Sequence, residues 1–114
     1  MIQEKYMDFN CAAGLVKQRF VTITPATDSV AYCSAGAQAD GITIGDESNL
    51  KISVLLLNNL YASWWVDCAA TVTKGDDLEV GADGKAQTLA AGTKVGVAKT
   101  AGSTTAPCVG YNAD

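Results

Sequence analysis

Residues 74–89 read KGDDLEVGADGKAQTL, and they set the architecture of the chain. Lys74-Gly75-Asp76 is a polar reversal whose glycine supplies the positive φ that turns often need. Leu78 and Val80 follow two positions apart, with Glu79 between them. That alternation puts the apolar pair on one face of a strand and the carboxylate on the other. Asp83-Gly84 is the strongest short-range hairpin signal, because a type I′ turn requires φ > 0 at both central residues. Ala86, Thr88 and Leu89 begin the return strand. The stretch encodes turn, strand, turn, strand, and carries no chemistry of its own.

The same alternation recurs on both sides of it. Val21 and Ile23 alternate with Thr22 and Thr24 until Pro25 stops the strand. In residues 29–33, Val30 and Tyr32 share a face. Ile42 and Ile44 follow the Asp40-Gly41 turn and are expected on one face. Residues 50–57 form the most hydrophobic strand, with Ile52, Val54 and Leu56 facing one way and Leu55 and Leu57 the other. Apolar groups on both faces predict a central strand buried twice, or one whose outer face meets another subunit. Asn58-Asn59 marks a turn. Trp64 and Trp65, adjacent in residues 62–68, must point to opposite sides of a strand. Val95 and Val97 are expected on one face around Gly96, and residues 108–111 close the sheet, weakened by Gly110. Residues 12–19 are the sole helical candidate, and a marginal one. The expected fold is all-β, a small β-barrel or compact β-sandwich. A faint internal echo links Gly41-Ile42-Thr43-Ile44 with Gly96-Val97-Ala98-Lys99.

Residues 1–14 show neither period, because Tyr6, Met7 and Phe9 lie among Glu4, Lys5, Asp8 and Asn10. They are expected to form an extended N-terminal arm, either mobile or docked on a partner, ahead of a single domain over residues 15–114.

A length of 114 residues suits one domain with a core of its own. With 48% hydrophobic and 18% charged residues, disorder is excluded as the main state. The net charge is −4, with 8 Lys and Arg and no basic cluster, so nucleic acid is not an expected partner. The chain contains no His, which removes the commonest general base and metal ligand. Cys11, Cys33, Cys68 and Cys108 are too far apart for a CxxC pattern. They read as buried free thiols, although an even number also permits disulfides. The first ten residues carry charges rather than a secretory core. The longest aliphatic run, residues 54–57, is too short to span a membrane. A soluble protein made in a reducing cytoplasm is expected, with no cofactor and no membrane partner.

Asp76, Asp77, Glu79 and Asp83 form the densest acidic cluster, but EF-hand spacing is absent and turn aspartates serve the backbone. Ser63, Ser103 and the cysteines lack a base partner for nucleophilic catalysis, so no enzyme is expected. Lys85 directly follows the tight turn and loosely resembles the modified lysine of lipoyl and biotinyl carrier domains, which makes a carrier module the alternative reading. A small β domain of a phage tail or baseplate is a further one.

The order of elements resembles that of the phage capsid decoration (cement) proteins of the domain-of-unknown-function 2190 type. The matching residues are Asp40, Gly41 and Ile42; Gly75, Asp76 and Leu78; Asp83, Gly84, Lys85 and Ala86; and Val95, Gly96, Val97 and Ala98. The likeness runs over about residues 19–111, and the Trp64-Trp65 pair and the four cysteines lie outside its pattern. It implies a non-enzymatic virion protein on the outer surface of the mature capsid, often trimeric, that clamps the major capsid protein against DNA pressure. Under that reading Tyr6, Met7 and Phe9 of the arm are the expected capsid contacts. Leu55, Leu57, Trp64 and Trp65 are the expected interface of a homotrimer.

Overall fold

The computed structural model describes residues 6–57 and 63–112. Ten strands follow one another: β1 (Tyr6–Asn10), β2 (Phe20–Thr24), β3 (Ser29–Tyr32), β4 (Gly41–Thr43), β5 (Lys51–Leu56), β6 (Ser63–Val66), β7 (Asp77–Val80), β8 (Ala86–Thr88), β9 (Gly96–Ala98) and β10 (Cys108–Tyr111). The first five close into a barrel in the order β1-β3-β2-β4-β5. The last five form a second sheet in the order β6-β10-β9-β7-β8. The all-β expectation holds, and barrel and layered packing occur together in one molecule.

Two cores follow from this arrangement. Phe9, Val21, Val30, Ile52 and Val54 fill the barrel. A larger cluster, including Phe20, Ile42, Leu55, Trp64, Val66, Leu78 and Val80, fills the layer between barrel and second sheet. Strand β5 serves both. Ile52 and Val54 point into the barrel while Leu55 points out of it, and each of the three is at most 2% exposed. The two-faced hydrophobicity of this strand is therefore spent within one chain. Strands β2 and β4 share that position: Phe20 pairs with Ile42, and Ile42 with Leu55, in one row facing the second sheet.

The sequence expectation of an N-terminal arm is corrected. Strand β1 pairs with β5 from Tyr6↔Leu55 to Asn10↔Lys51, and its end meets β3 in parallel at Asn10↔Ser29, which closes the barrel. Phe9 is 4% exposed. The residues that follow are held as well. Cys11 N–H donates to the Leu50 carbonyl at 2.9 Å, Gly14 N–H to Glu47 Oε1 at 3.1 Å, and Val16 N–H to the Tyr32 hydroxyl at 2.9 Å. No structural boundary falls at residue 14, and residues 1–5 lie outside the described residues. Met7, Phe9 and Cys11 do alternate with Asp8 and Asn10; the polar neighbours belong to the outward face of a strand, not to a solvated tail.

The 74–89 stretch folds as its residues dictate. Asp83 has φ 55° and ψ 35°, Gly84 has φ 73°, and Lys85 N–H donates to the Ala82 carbonyl at 3.1 Å, which is a type I′ turn. The ladder runs from Leu78↔Thr88 to Val80↔Ala86. The hairpin tip packs on the barrel. A Cβ at Gly84 would come within 2.4 Å of the Phe20 carbonyl oxygen, so Gly84 supplies both positive φ and the close approach. Arg19 fastens the same junction: its Nε pairs with Asp67 Oδ2 at 3.0 Å, and its Nη1 donates to the Asp83 carbonyl at 3.2 Å.

Two facial expectations are corrected. Ile42 is buried, whereas Ile44 lies past the end of β4 and is 43% exposed. In β9 the inward residues are Gly96 and Ala98, with Val97 between them half-buried.

Candidate functional site

The expected site residues separate into buried and exposed sets. Trp64 is 4% exposed and lies on a platform of two glycines. A Cβ at Gly110 would come within 2.5 Å of its ring, and one at Gly96 within 2.8 Å. Gly110, a weak point by propensity, is what admits the indole. The ring meets Phe20 edge-on at 5.2 Å between centroids, and its Nε1 donates to Asn112 Oδ1 at 2.8 Å. Trp64 and Leu55 thus belong to the core of this chain and are corrected as subunit-interface residues. Phe9, in the barrel core, is likewise corrected as a capsid contact. Leu57 is half-buried against the interlayer core. The side chain of Tyr6 lies outside the described residues.

Trp65 and Met7 remain on the surface, 55% and 49% exposed. Trp65 projects from the outer face of β6, opposite Val109, and Tyr111 on the neighbouring strand is 41% exposed. β6 is an edge strand of its sheet. The Val109 N–H donates to Thr100 Oγ1 at 2.9 Å and its carbonyl accepts from Lys99 N–H at 2.7 Å. Val109 therefore turns its polar groups away from β6, and Trp65, facing it, turns its N–H and C=O toward the edge, where no other described strand pairs with it. Asp67, two residues on, uses the same side to donate to the Gln18 carbonyl at 2.9 Å. Between this edge and the barrel lies a cleft of about 210 Å³ lined by Ile42, Ile44, Leu55, Trp64 and Trp65 among others. A second, more open groove of about 550 Å³ runs past Met7, Phe9, Ile23, Pro25, Leu56 and Leu57. Sequence reasoning missed Ile44 and Tyr111 as surface residues. Their signal was position: Ile44 lies past the end of β4, where inward alternation lapses, and Tyr111 shares the outward face of β10 with Val109.

The polar groups are structural. Thr43, buried, accepts from Arg19 N–H at 3.0 Å and donates to the Val16 carbonyl at 2.8 Å. Glu79, 5% exposed, accepts from Ala90 N–H at 2.7 Å, Gly92 N–H at 3.0 Å and Gln87 Nε2 at 2.8 Å. The bond from Ala90 leads those that hold its carboxyl below the usual range, so it pins the β8–β9 loop as an anion. Asp76 accepts from Thr73 N–H at 2.9 Å and the Thr88 hydroxyl at 3.1 Å, the backbone role expected of a turn aspartate. Among the described residues no three His, Cys, Asp or Glu side chains group as a metal site. Lys85 is half-buried and lines a small pocket with Arg19 and Asp67, unlike a lysine standing free at a hairpin tip. No described helix is long and apolar enough to cross a membrane.

No family model matches the chain, nor does any curated protein. Among solved structures, the chain is similar to the head fiber gp8.5 N base of bacteriophage phi29, at 15% sequence identity and a TM-score of 0.78, over 97% of this chain and 95% of that one. The two chains share one fold.

Proposed function

We propose that this chain is a bacteriophage virion protein of the head. In this reading it is a decoration (cement) protein that binds the outer surface of the mature capsid, sits there as a trimer, and braces the major capsid protein against packaged DNA. The carrying observation is the fold it shares, almost end to end, with a protein named as a phage head fiber base. The order of the DGI, GD-x-L, DGKA and VGVA motifs points the same way. No grouping of nucleophile and base stands in the described residues to suggest an enzyme. The capsid-facing surface in this proposal is the open edge of β6 with Trp65 and Ile44. An unpaired strand edge beside an apolar cleft is what a partner strand recognises by β-augmentation.

The test is co-sedimentation with purified mature capsids, followed by a cryo-electron microscopy map of the decorated particle. Saturable binding at three-fold positions, with copies touching one another, is expected. Trp65→Ala should weaken binding at least tenfold while leaving the melting temperature within about 2 °C, since an exposed side chain contributes little to stability. Binding to tails instead of heads, or isolated single copies on the capsid, overturns the reading.

A further inference from the structure

We propose that Cys68 and Cys108 are a built dithiol that closes to an intramolecular disulfide, with a low-molecular-weight organic disulfide as the oxidant. In the reduced chain all four cysteines are free, and these two form a pair. Cys108 faces Val66 across the β6–β10 ladder. Cys68 lies two residues beyond Val66, so both side chains project from the same side of the sheet. Both are in the interlayer core, 2% and 0% exposed. Gly102 covers them from above: a Cβ there would stand 2.7 Å from Cys68 Sγ and 2.8 Å from Cys108 Cβ. The glycine is itself held by paired hydrogen bonds with Val72 at 2.9 and 3.1 Å. One residue without a side chain therefore holds both thiols beneath the same point. The two thiols feel each other: after burial, the neighbouring Cys68 thiol is the next cause that raises the Cys108 pKa, while the Cys68 thiol itself donates toward the Val66 carbonyl at 3.9 Å. Cys33 is engaged elsewhere, donating toward the Ser34 and Gln38 carbonyls at 3.5 and 3.6 Å, and Cys11 belongs to the barrel side.

The pair also has an entrance. Cys68 lines a pocket of about 160 Å³, with Arg19, Lys85, Ser103, Thr105 and Pro107 among its walls. Cys68 is thus the sulfur that a small reagent reaches, and Cys108 is the one behind it. The Cys68 thiol loses its proton to water and attacks one sulfur of the organic disulfide. This forms a mixed disulfide and releases one thiolate. Cys108, deprotonated in turn, attacks Cys68 Sγ and releases the second thiolate. The two protein thiols are oxidised by two electrons, and the organic disulfide is reduced to two thiols.

The experiment incubates the reduced, folded protein with hydroxyethyl disulfide, quenches with acid, unfolds it and alkylates the remaining thiols. Two labels are expected, on Cys11 and Cys33, with a peptide joining Cys68 to Cys108 in the digest. Cys108→Ser should accumulate the mixed disulfide on Cys68, and Cys68→Ser should carry no adduct on Cys108. Four labels in the wild type, or a crosslink between any other pair, overturns the proposal. An adduct on Cys108 in Cys68→Ser overturns the entrance assigned to Cys68.

Discussion

The barrel and the second sheet are built by different means. The barrel closes on itself through β1 and encloses a small core of Phe9, Val21, Val30, Ile52 and Val54. The second sheet leaves β6 at its edge and uses its inner face to cover the barrel's outer wall. The larger core belongs to neither sheet alone: Phe20, Ile42 and Leu55 come from the barrel, and Trp64, Leu78 and Val80 from the sheet. Closure gives the barrel its shape, while the layer between the sheets holds most of the buried apolar surface. A five-stranded barrel this small has too little interior to stand without that layer.

The largest effect expected is from removing residues 1–10. The truncated chain lacks β1, leaves the β1-facing side of β5 unpaired along five residues while β4 still pairs its other side, and should show no cooperative thermal transition by circular dichroism. A truncated chain that melts like the full one would show that the barrel does not depend on closure.

A paired substitution sharpens the comparison between cores. Phe20→Ala, in the interlayer core against Trp64, should cost about 4 kcal/mol by urea denaturation, within the usual span for a buried phenylalanine. Phe9→Ala, beside the open groove that Met7 and Leu57 also line, should cost about 3 kcal/mol, because that wall can collapse or admit water. The reverse order would place the weight of stability inside the barrel.

The smallest effects are titrations. The Glu79 carboxyl is held below its ordinary value of 4.5. Its contribution is therefore present above pH 4.5 and lost as pH falls through the lowered value. Glu79→Gln should flatten the acid limb of a plot of urea midpoint against pH, leaving the slope that Glu47, also lowered, retains on the barrel side. At the other end, burial raises the Cys108 thiol above 9.0. Stability is then full below pH 9 and declines as pH rises toward the raised value, and Cys108→Ser should reduce that decline, leaving the part that the raised Cys33 and Cys11 thiols contribute. An unchanged acid limb in Glu79→Gln would show that the β8–β9 loop is not pinned by charge.

The strands were legible wherever alternation was clean and turns were marked. Pro25 after β2 and Asp83-Gly84 between β7 and β8 gave punctuation that the structure keeps, while the Asn58-Asn59 turn expected after β5 lies outside the described residues. The division of β5 into an Ile52-Val54-Leu56 face and a Leu55-Leu57 face was also legible, and it is the division between the two cores. What covers the second face was not, because a row of leucines looks the same whether it meets a sheet of its own chain or of another. Strand β1 was hidden for a different reason. Its pairing with β5 spans more than forty residues, and only long-range closure makes Met7-Asp8-Phe9-Asn10-Cys11 worth ordering. The roles of Gly96 and Gly110 were invisible for the same cause: a missing side chain has meaning only once Trp64 is known to lie over it. At the surface, the sequence named Trp65, and the structure separates it from Trp64 as the partner left exposed.

All barrel strands lie in residues that precede every strand of the second sheet. During synthesis the barrel's full complement of strands leaves the ribosome first. Its outer row of Phe20, Ile42 and Leu55 then waits, apolar and uncovered, until the second half arrives to cover it. Such transient exposure is where nascent chains associate wrongly. The hairpin tip seats Gly84 against the Phe20 carbonyl, and Trp64 covers the Phe20 ring. The rate at which the second sheet forms and docks therefore sets how long the newborn chain stays sticky, and how much of it reaches the native state at high expression.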